Sequence, residues 1–327
     1  MSTFPVIASI LSETELAQFI KEKYLLKEDS NCQLFRTGVN HTYFISDNEK
    51  KYVVRIYCKN WRTKSEIQEE LQLLLMLKDN DLAVSYPLPD KNGNLIQEIN
   101  APEGLRYAVL FTFAEGKKMR FMHDETCFAI GEIMAKIHNL TAGKKINRID
   151  YNSEVLLDQA YDNINSFFAE DLEEMQYIRK ISPQITQKFN EITWSENQKG
   201  IVHLDIWYDN LSVNKEDEII IFDFDNCGNG ALILDVAYFC KQLFFIESDK
   251  EEYERKFQSF INGYQQIRSL SDKEIKLIPE AGASVFIFYI GVQAKRFDWS
   301  NIFFTENYLK MFVGRIKNWM DYYETEK

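Results

Sequence analysis

Cysteine is scarce and never paired. The five, Cys32, Cys58, Cys127, Cys227 and Cys240, are scattered, odd in number and nowhere spaced as CxxC. That usage fits reduced thiols in a cytoplasm and argues against a disulfide framework. The four histidines, His41, His123, His138 and His203, include no HxxxH or HExxH pair, which argues against a zinc hydrolase. Apolar runs fall short of the roughly 18 residues a membrane-spanning helix needs. Met1 to Leu11 lacks a basic n-region and a small-residue cleavage pattern, so it reads as part of the mature fold. The expectation is a cytoplasmic protein with no membrane partner. Positive charge is also in the minority. Lys plus Arg number 38 against 50 Asp plus Glu, so 38 − 50 gives −12. A protein that coats nucleic-acid phosphates needs a clustered positive field, and this balance argues against one. Cationic or small zwitterionic ligands remain compatible with it.

The chain's 327 residues and 45% hydrophobic content are those of a folded protein with room for two domains. Ser12-Glu13-Thr14-Glu15 fits a capping box, with Leu16, Phe19, Ile20 and Tyr24 following at helical spacing. From Asn31 to Cys58 short β-prone runs alternate with turn residues, as in Thr42 to Ile45 and Tyr52 to Tyr57. A helix is expected from Thr63 to Lys78, with its apolar stripe at Ile67, Leu71, Leu74 and Leu77. Strands are expected around Asn94 to Glu98 and Arg106 to Phe113. After Gly116 the pattern is helical, strongest from Asp124 to His138, and one β-rich island interrupts it from Gly200 to Phe224. There are no repeats and no low-complexity linker. The fold class these patterns predict is α+β. A small N-terminal sheet-plus-helix lobe, residues 1–113, precedes a larger, mainly helical C-terminal lobe, residues 114–327.

The β-island carries the chemistry. An apolar strand delivers His203 and Asp205 to a loop, with Asn210 five residues beyond Asp205, and a second apolar strand ends in Asp223 and Asp225. Two strand ends thus present several oxygen ligands to one place. Such oxygen-rich, sulfur-free coordination suits Mg2+ held partly by substrate phosphates. HxDxxxxN followed by a strand ending in DFD is what phosphoryl transfer needs. One carboxylate orients the acceptor hydroxyl, while an amide oxygen and a second carboxylate hold metal.

With these motifs the chain resembles the aminoglycoside phosphotransferase and choline kinase superfamily, relatives of the protein kinases. The resemblance implies a two-lobed protein-kinase-like fold with an antiparallel N-terminal sheet, and it implies ATP and Mg2+ as cofactors. By its matching positions Asp205 would be the catalytic base and Asn210 and Asp223 the metal ligands. His203 would brace the loop and Asp235 buttress it from the next helix. Asp225, in Asp223 to Gly228, resembles a branch containing homoserine-kinase-like and stress-response kinases, and either binds metal or is a turn residue. Such a fold also needs a strand cation paired with a helix carboxylate. Arg55 lies in the strand, and Glu70 shares the inward stripe of Leu74 and Leu77, where a carboxylate is costly without a partner. Glu66 is the second choice. Leu110 to Gly116 resembles the family's hinge, where the main chain of Thr112 and Ala114 would meet adenine. Gly38 and Asn40 occupy the phosphate-covering loop.

Three departures stand out. Arg55 replaces the usual lysine and brings a fork instead of a point charge. Leu204 replaces a small residue, and Trp207 is a bulky neighbour of the base. The expected activity is transfer of the γ-phosphoryl group of ATP to a small-molecule hydroxyl. Aminoglycosides, amino alcohols and homoserine-like acceptors all remain open, and the last would need a cation that the sequence does not locate. Tyr289, Phe297 and Trp299 read mainly as core aromatics, with a minority able to line an acceptor pocket. A protein Ser/Thr kinase is the rival enzyme, although Asp235 follows Asp223 by only twelve positions. A catalytically silent nucleotide-binding regulator is the rival from another class.

Overall fold

The computed structural model describes residues 4–296 and 304–325. Phe297 and Trp299 lie outside the described residues. The chain divides into two compact units, with the boundary between Glu115 and Gly116.

In the first unit, α1 (Glu13–Tyr24) precedes a hairpin pair, β1 (Asn31–Arg36) and β2 (Asn40–Ser46), then β3 (Lys51–Tyr57), α2 (Lys64–Asp79), β4 (Gln97–Ala101) and β5 (Gly104–Thr112). The five strands form one antiparallel sheet in the order β1-β2-β3-β5-β4. Strand alternation decides its faces. Tyr43, Ile45, Val54, Ile56, Ala108 and Leu110 share one side and bury against Leu16 and Ile20 of α1. Arg55 is out of phase with Val54 and Ile56, so it projects from the opposite side. Ser12 caps α1 by accepting from the Glu15 amide. The full reciprocal capping box occurs at Thr63 and Glu66 and starts α2. Glu66 is thereby engaged at the helix end, and Glu70 is the carboxylate that points inward.

The second unit runs α3 (Asp124–Thr141), β6 (Asp150–Tyr151), a π-helical turn (Glu154–Asp158), α4 (Gln159–Asn165) and α5 (Glu173–Asn190). It continues with β7 (Lys199–Val202), β8 (Leu211–Val213), β9 (Ile219–Ile221), β10 (Gly228–Ala231), α6 (Ile233–Ile246), α7 (Lys250–Ile267), α8 (Asp272–Lys295) and α9 (Glu306–Thr325). β8 and β9 form a short antiparallel ladder, and β6, β10 and β7 form a three-stranded sheet. Helix α3 extends three residues past the expected His138. It packs on α7 where two glycines let backbones touch: a Cβ on Gly131 would lie 2.2 Å from the Phe260 oxygen, and one on Gly263 2.0 Å from the Phe128 oxygen. Helix α8 departs from the sequence reading, because by length and composition it is apolar enough to cross a membrane. Most of that apolar stretch is buried within the fold, which is how a central core helix passes the same test.

Candidate active site

β7 is buried from Gly200 to Val202, and its end delivers His203, Leu204 and Asp205 in succession. Leu204 adopts a left-handed backbone, φ 62°, which costs a residue with a Cβ roughly 1–2 kcal/mol. That conformation explains why a small residue is the easier choice here. Three contacts hold the strained turn. Asp235 on α6, fully buried, accepts from the His203 amide at 2.8 Å and the Leu204 amide at 2.6 Å, and the Tyr289 hydroxyl donates to the Leu204 oxygen at 3.0 Å. Asp235 is itself fixed by His138 Nε2 at 3.1 Å, whose Nδ1 meets the Tyr264 hydroxyl at 2.7 Å.

His203 is buried, and burial lowers its pKa. Its Nδ1 accepts from the Asp205 amide at 3.1 Å, and its Nε2 lies 3.2 Å from the Phe222 oxygen. This pairing is that of a neutral imidazole protonated on Nε2. The Phe222 amide in turn donates to the Asn210 oxygen at 3.1 Å. His203 and Phe222 thus tie the loop after β7 to the end of β9, where Asp223 stands in a left-handed conformation, φ 66°.

Asp205 receives a hydrogen bond on each carboxylate oxygen. The Tyr238 hydroxyl donates to Oδ1, and Asn210 Nδ2 donates to Oδ2 at 2.9 Å and to the Asp205 main-chain oxygen at 3.0 Å. Gln242 donates to the Tyr238 hydroxyl at 2.8 Å. Burial pushes the Asp205 carboxyl up to about 7. The negative charge of Asp223 adds to the rise, while the hydrogen bonds from Tyr238 and Asn210 and the charge of Lys241 oppose it. Each oxygen retains lone-pair capacity for an acceptor hydroxyl. Asn210 uses its nitrogen toward Asp205, which leaves Oδ1 as the atom available to a cation.

Among the described residues no group of three or more His, Cys, Asp and Glu side chains could hold a metal alone. Asn210 Oδ1 and the Asp223 carboxylate are hard oxygen donors from adjacent strand ends. A cation held by so few protein ligands must complete its shell with water and substrate phosphates, as Mg2+ does. The donor set therefore fits. Asp225 is buried in the turn after Asp223, and its main-chain oxygen accepts from Arg148. Arg148 also donates to Cys227 Sγ at 3.3 Å, and the Tyr151 hydroxyl donates to the Asn226 oxygen at 2.6 Å.

In the first unit, Arg55 Nη1 meets Glu70 Oε1 at 2.7 Å, with Glu70 fully buried and the Tyr57 hydroxyl on its other oxygen at 3.3 Å. The Arg55 guanidinium lies 5.0 Å from the Phe111 ring centre. Gly38 sits in the turn between β1 and β2, and a Cβ there would meet only the Asn40 oxygen at 3.7 Å, so no crowding demands glycine. Asn40 Oδ1 is buried without a hydrogen-bond partner; rotation of the amide would put a donor in that place. The main chain of Thr112 is already engaged: its amide donates to the Tyr86 oxygen at 3.0 Å, and its oxygen accepts from the Ser85 hydroxyl at 2.6 Å. The Thr112 carbonyl keeps one lone pair, and no internal hydrogen bond engages the main chain of Ala114 among the described residues.

Sequence reasoning missed Tyr238, Gln242, Lys241 and Arg148, and placed Tyr289 mainly in the core. Their contacts with the loop span 33 residues (Tyr238 to Asp205), 77 (Arg148 to Asp225) and 85 (Tyr289 to Leu204), distances that leave no local pattern. One signal was present. Lys241 is the lone cation in the apolar run of α6.

Residues 31–270 match the phosphotransferase enzyme family, APH. A homoserine kinase of Agrobacterium fabrum is 24% identical over 274 residues, covering 82% of this chain and 81% of its own. An uncharacterized protein of Synechocystis sp. is 30% identical over 298 residues, covering 87% and 79%. The solved amicoumacin kinase, in complex with AMP-PNP, Ca2+ and Ami, shares the fold with a TM-score of 0.78 at 19% identity, covering 94% of each chain. The chain belongs to the phosphotransferase enzyme family. It is a small-molecule phosphotransferase with the protein-kinase-like fold, a kinase that uses a hydroxyl group as acceptor.

Proposed function

We propose that the enzyme uses ATP with Mg2+ and transfers the γ-phosphoryl group to a hydroxyl of a small molecule in the cytoplasm. The observation that carries this reading is the Asp205 carboxylate, fixed by Tyr238 and Asn210 at the end of β7 beside Asp223. Asp205 orients the acceptor hydroxyl and takes its proton as the new O–P bond forms. The bond from Pγ to the bridging oxygen breaks, and ADP departs with that electron pair. Asn210 Oδ1 and Asp223 would hold the metal ion, which supplies charge neutralisation across the phosphates. Arg55, fixed by Glu70, grips phosphate oxygens in a forked geometry that a lysine could not reproduce. The Asn40 amide donates to phosphate, and the Ala114 main chain with the Thr112 carbonyl meets the adenine edge. His203 and Asp235 act through the loop they brace, and Asp225 serves to shape the turn after Asp223.

The test is Mg2+-dependent ADP formation by purified protein, with ATP alone and with pools of amino alcohols, hydroxy acids, aminoglycosides and sugars. Acceptor-stimulated turnover is expected, and Asp205→Asn should lower kcat by about 10²–10⁴-fold while nucleotide affinity stays within a factor of two or so. Undiminished turnover in Asp205→Asn would remove the base from Asp205, and full activity in Asp223→Ala would remove the metal role.

A further inference from the structure

Among the described residues, several buried or largely buried cations meet a carboxylate. Arg55 meets Glu70 at 2.7 Å, Arg106 meets Glu103 at 3.4 Å, and Lys256 meets both Glu247 and Glu252 at 2.7 Å. Lys241 on α6 is only 2% exposed, and among the described residues its ammonium has no ion pair or hydrogen bond. Ring faces surround it. Nζ lies 3.6 Å from the centre of Phe286, 4.5 Å from Tyr238 and 5.9 Å from Tyr289. Cation–π attraction compensates part of the lost hydration, yet it supplies no acceptor for three N–H donors.

The same rings border the reacting carboxylate. Tyr238 donates to Asp205, Tyr289 donates to the loop at Leu204, and Asn226 donates to the Tyr289 hydroxyl at 3.2 Å. Lys241 and Asp205 thus share Tyr238, whose ring faces the ammonium and whose hydroxyl meets the carboxylate. A second cation is linked to Lys241 through ring contacts. Arg315 on α9 faces the Phe245 ring, which packs at 5.4 Å on the Phe286 ring that Lys241 meets. Arg315 touches the rings of Phe312 and Phe245, at 5.3 and 5.7 Å, and has no carboxylate partner among the described residues.

We propose that the acceptor carries a carboxylate a few bonds from its reacting hydroxyl, and that Lys241, backed by Arg315, is the residue that receives it. This rests on the phosphotransferase reading of Asp205 and deepens it. Asp205 acts on the Lys241 ammonium through space but makes no hydrogen bond with it. A buried ammonium with unused donors is unfavourable, and an arriving carboxylate supplies charge and acceptors together. The aromatic box that would suit a quaternary ammonium already holds a cation, so choline-like amines and polycationic aminoglycosides meet repulsion there. The acceptor class is small hydroxy acids and hydroxy amino acids. Phosphorylation follows the balance given above, and Lys241 takes no part in proton transfer.

The test pairs acceptors that differ only in charge, with saturating Mg·ATP. L-homoserine and 4-hydroxybutyrate are set against L-homoserine amide and 3-aminopropan-1-ol. Binding of the same four compounds to the protein with AMP-PNP and Mg2+ is followed by calorimetry. Carboxylates are expected to be bound and phosphorylated in preference to their amide and amine counterparts. Lys241→Met should raise their KM, or weaken their binding, by about 10- to 100-fold, the value of a charge-assisted hydrogen bond, with AMP-PNP affinity unchanged. Lys241→Arg should recover most of that loss, and Arg315→Gln should show a smaller one. Equal use of amide or amine, or a Lys241→Met enzyme with unaltered KM, would overturn the proposal and leave the phosphotransferase reading standing. Lys241-dependent carboxylate binding without phosphorylation of any acceptor would do the reverse. Absence of any carboxylate preference in binding overturns it as well.

Discussion

A carboxylate with no exposed surface, Glu70, meets Arg55 at 2.7 Å and takes a second hydrogen bond from Tyr57 at 3.3 Å. Removing one member of a buried pair takes from the other the close contact that offset its desolvation, which costs more than the pair itself contributes. Glu70→Ala should therefore lower unfolding free energy by about 3–5 kcal/mol and raise KM for the nucleotide, as read by urea denaturation and initial rates. Unchanged stability would mean that solvent reaches Arg55 freely. At this scale much of the candidate site was legible. Spacing placed Asp205, Asn210, Asp223, Arg55 and Glu70, and the structure brings Asp205 onto Asn210 and Arg55 onto Glu70. Tyr238 was not legible, because the sixth residue of an apolar helix reads as core until the helix's partner is known, and Lys241, the ninth, stood out only as the lone cation of that helix. At Thr112 the structure narrows the expectation to the carbonyl, since the main-chain amide is already committed to Tyr86.

Among the elements, the crossing of α3 and α7 is the most exacting contact. Gly131 and Gly263 each face the other helix's backbone at a distance that no side-chain carbon tolerates. Gly131→Ala improves intrinsic helix propensity by about 1 kcal/mol, yet its new methyl would stand 2.2 Å from the Phe260 oxygen. Overpacking of this kind typically costs about 1–3 kcal/mol, and here rigid backbone must give way, so the net effect should be destabilising. A thermal melt of the variant checks the sign, and a higher Tm would show that the helices separate easily. The sequence marked α3 through its periodicity and α7 only as part of a generally helical stretch. It could not mark the crossing, since a helical glycine carries no sign of what approaches it. The membrane-length apolar stretch of α8 was overlooked for a related reason: scattered polar residues break its runs, while its average remains apolar.

Across the whole molecule, the net charge of −12 conceals a small positive region. Burial lowers the Lys241 pKa from 10.5 to about 7, with Arg315 acting in the same sense and Asp205 against it. Between about 7 and the unfolded value near 10.4, the unfolded chain binds the proton that the folded chain has released. Stability from this group therefore rises with pH across that window, and the penalty is complete below it. Lys241→Met should stabilise the protein by about 1–4 kcal/mol at pH 6, with the gain fading toward pH 10, measured by denaturant titration at both pH values. A loss of stability at pH 6 would show that the aromatic box fully compensates the ammonium. The two-part α+β organisation was readable because periodicity changes near Gly116. The three-stranded sheet of β6, β10 and β7 was not, because strands of two to four residues carry too short a pattern.

Three of the side chains that hold the loop presenting Asp205 are made after it. Asp235 grips an amide 31 residues earlier, Tyr238 reaches back 33, and Tyr289 reaches back 85. At roughly 5–20 residues per second of synthesis, the last of these emerges on the order of ten seconds after the loop. During that interval the nascent chain holds the Asp205 carboxylate without the means to aim it. Chains that stop before α8 are expected to be inert, however well their earlier helices have folded. The order of synthesis thus keeps an unfinished enzyme from spending nucleotide.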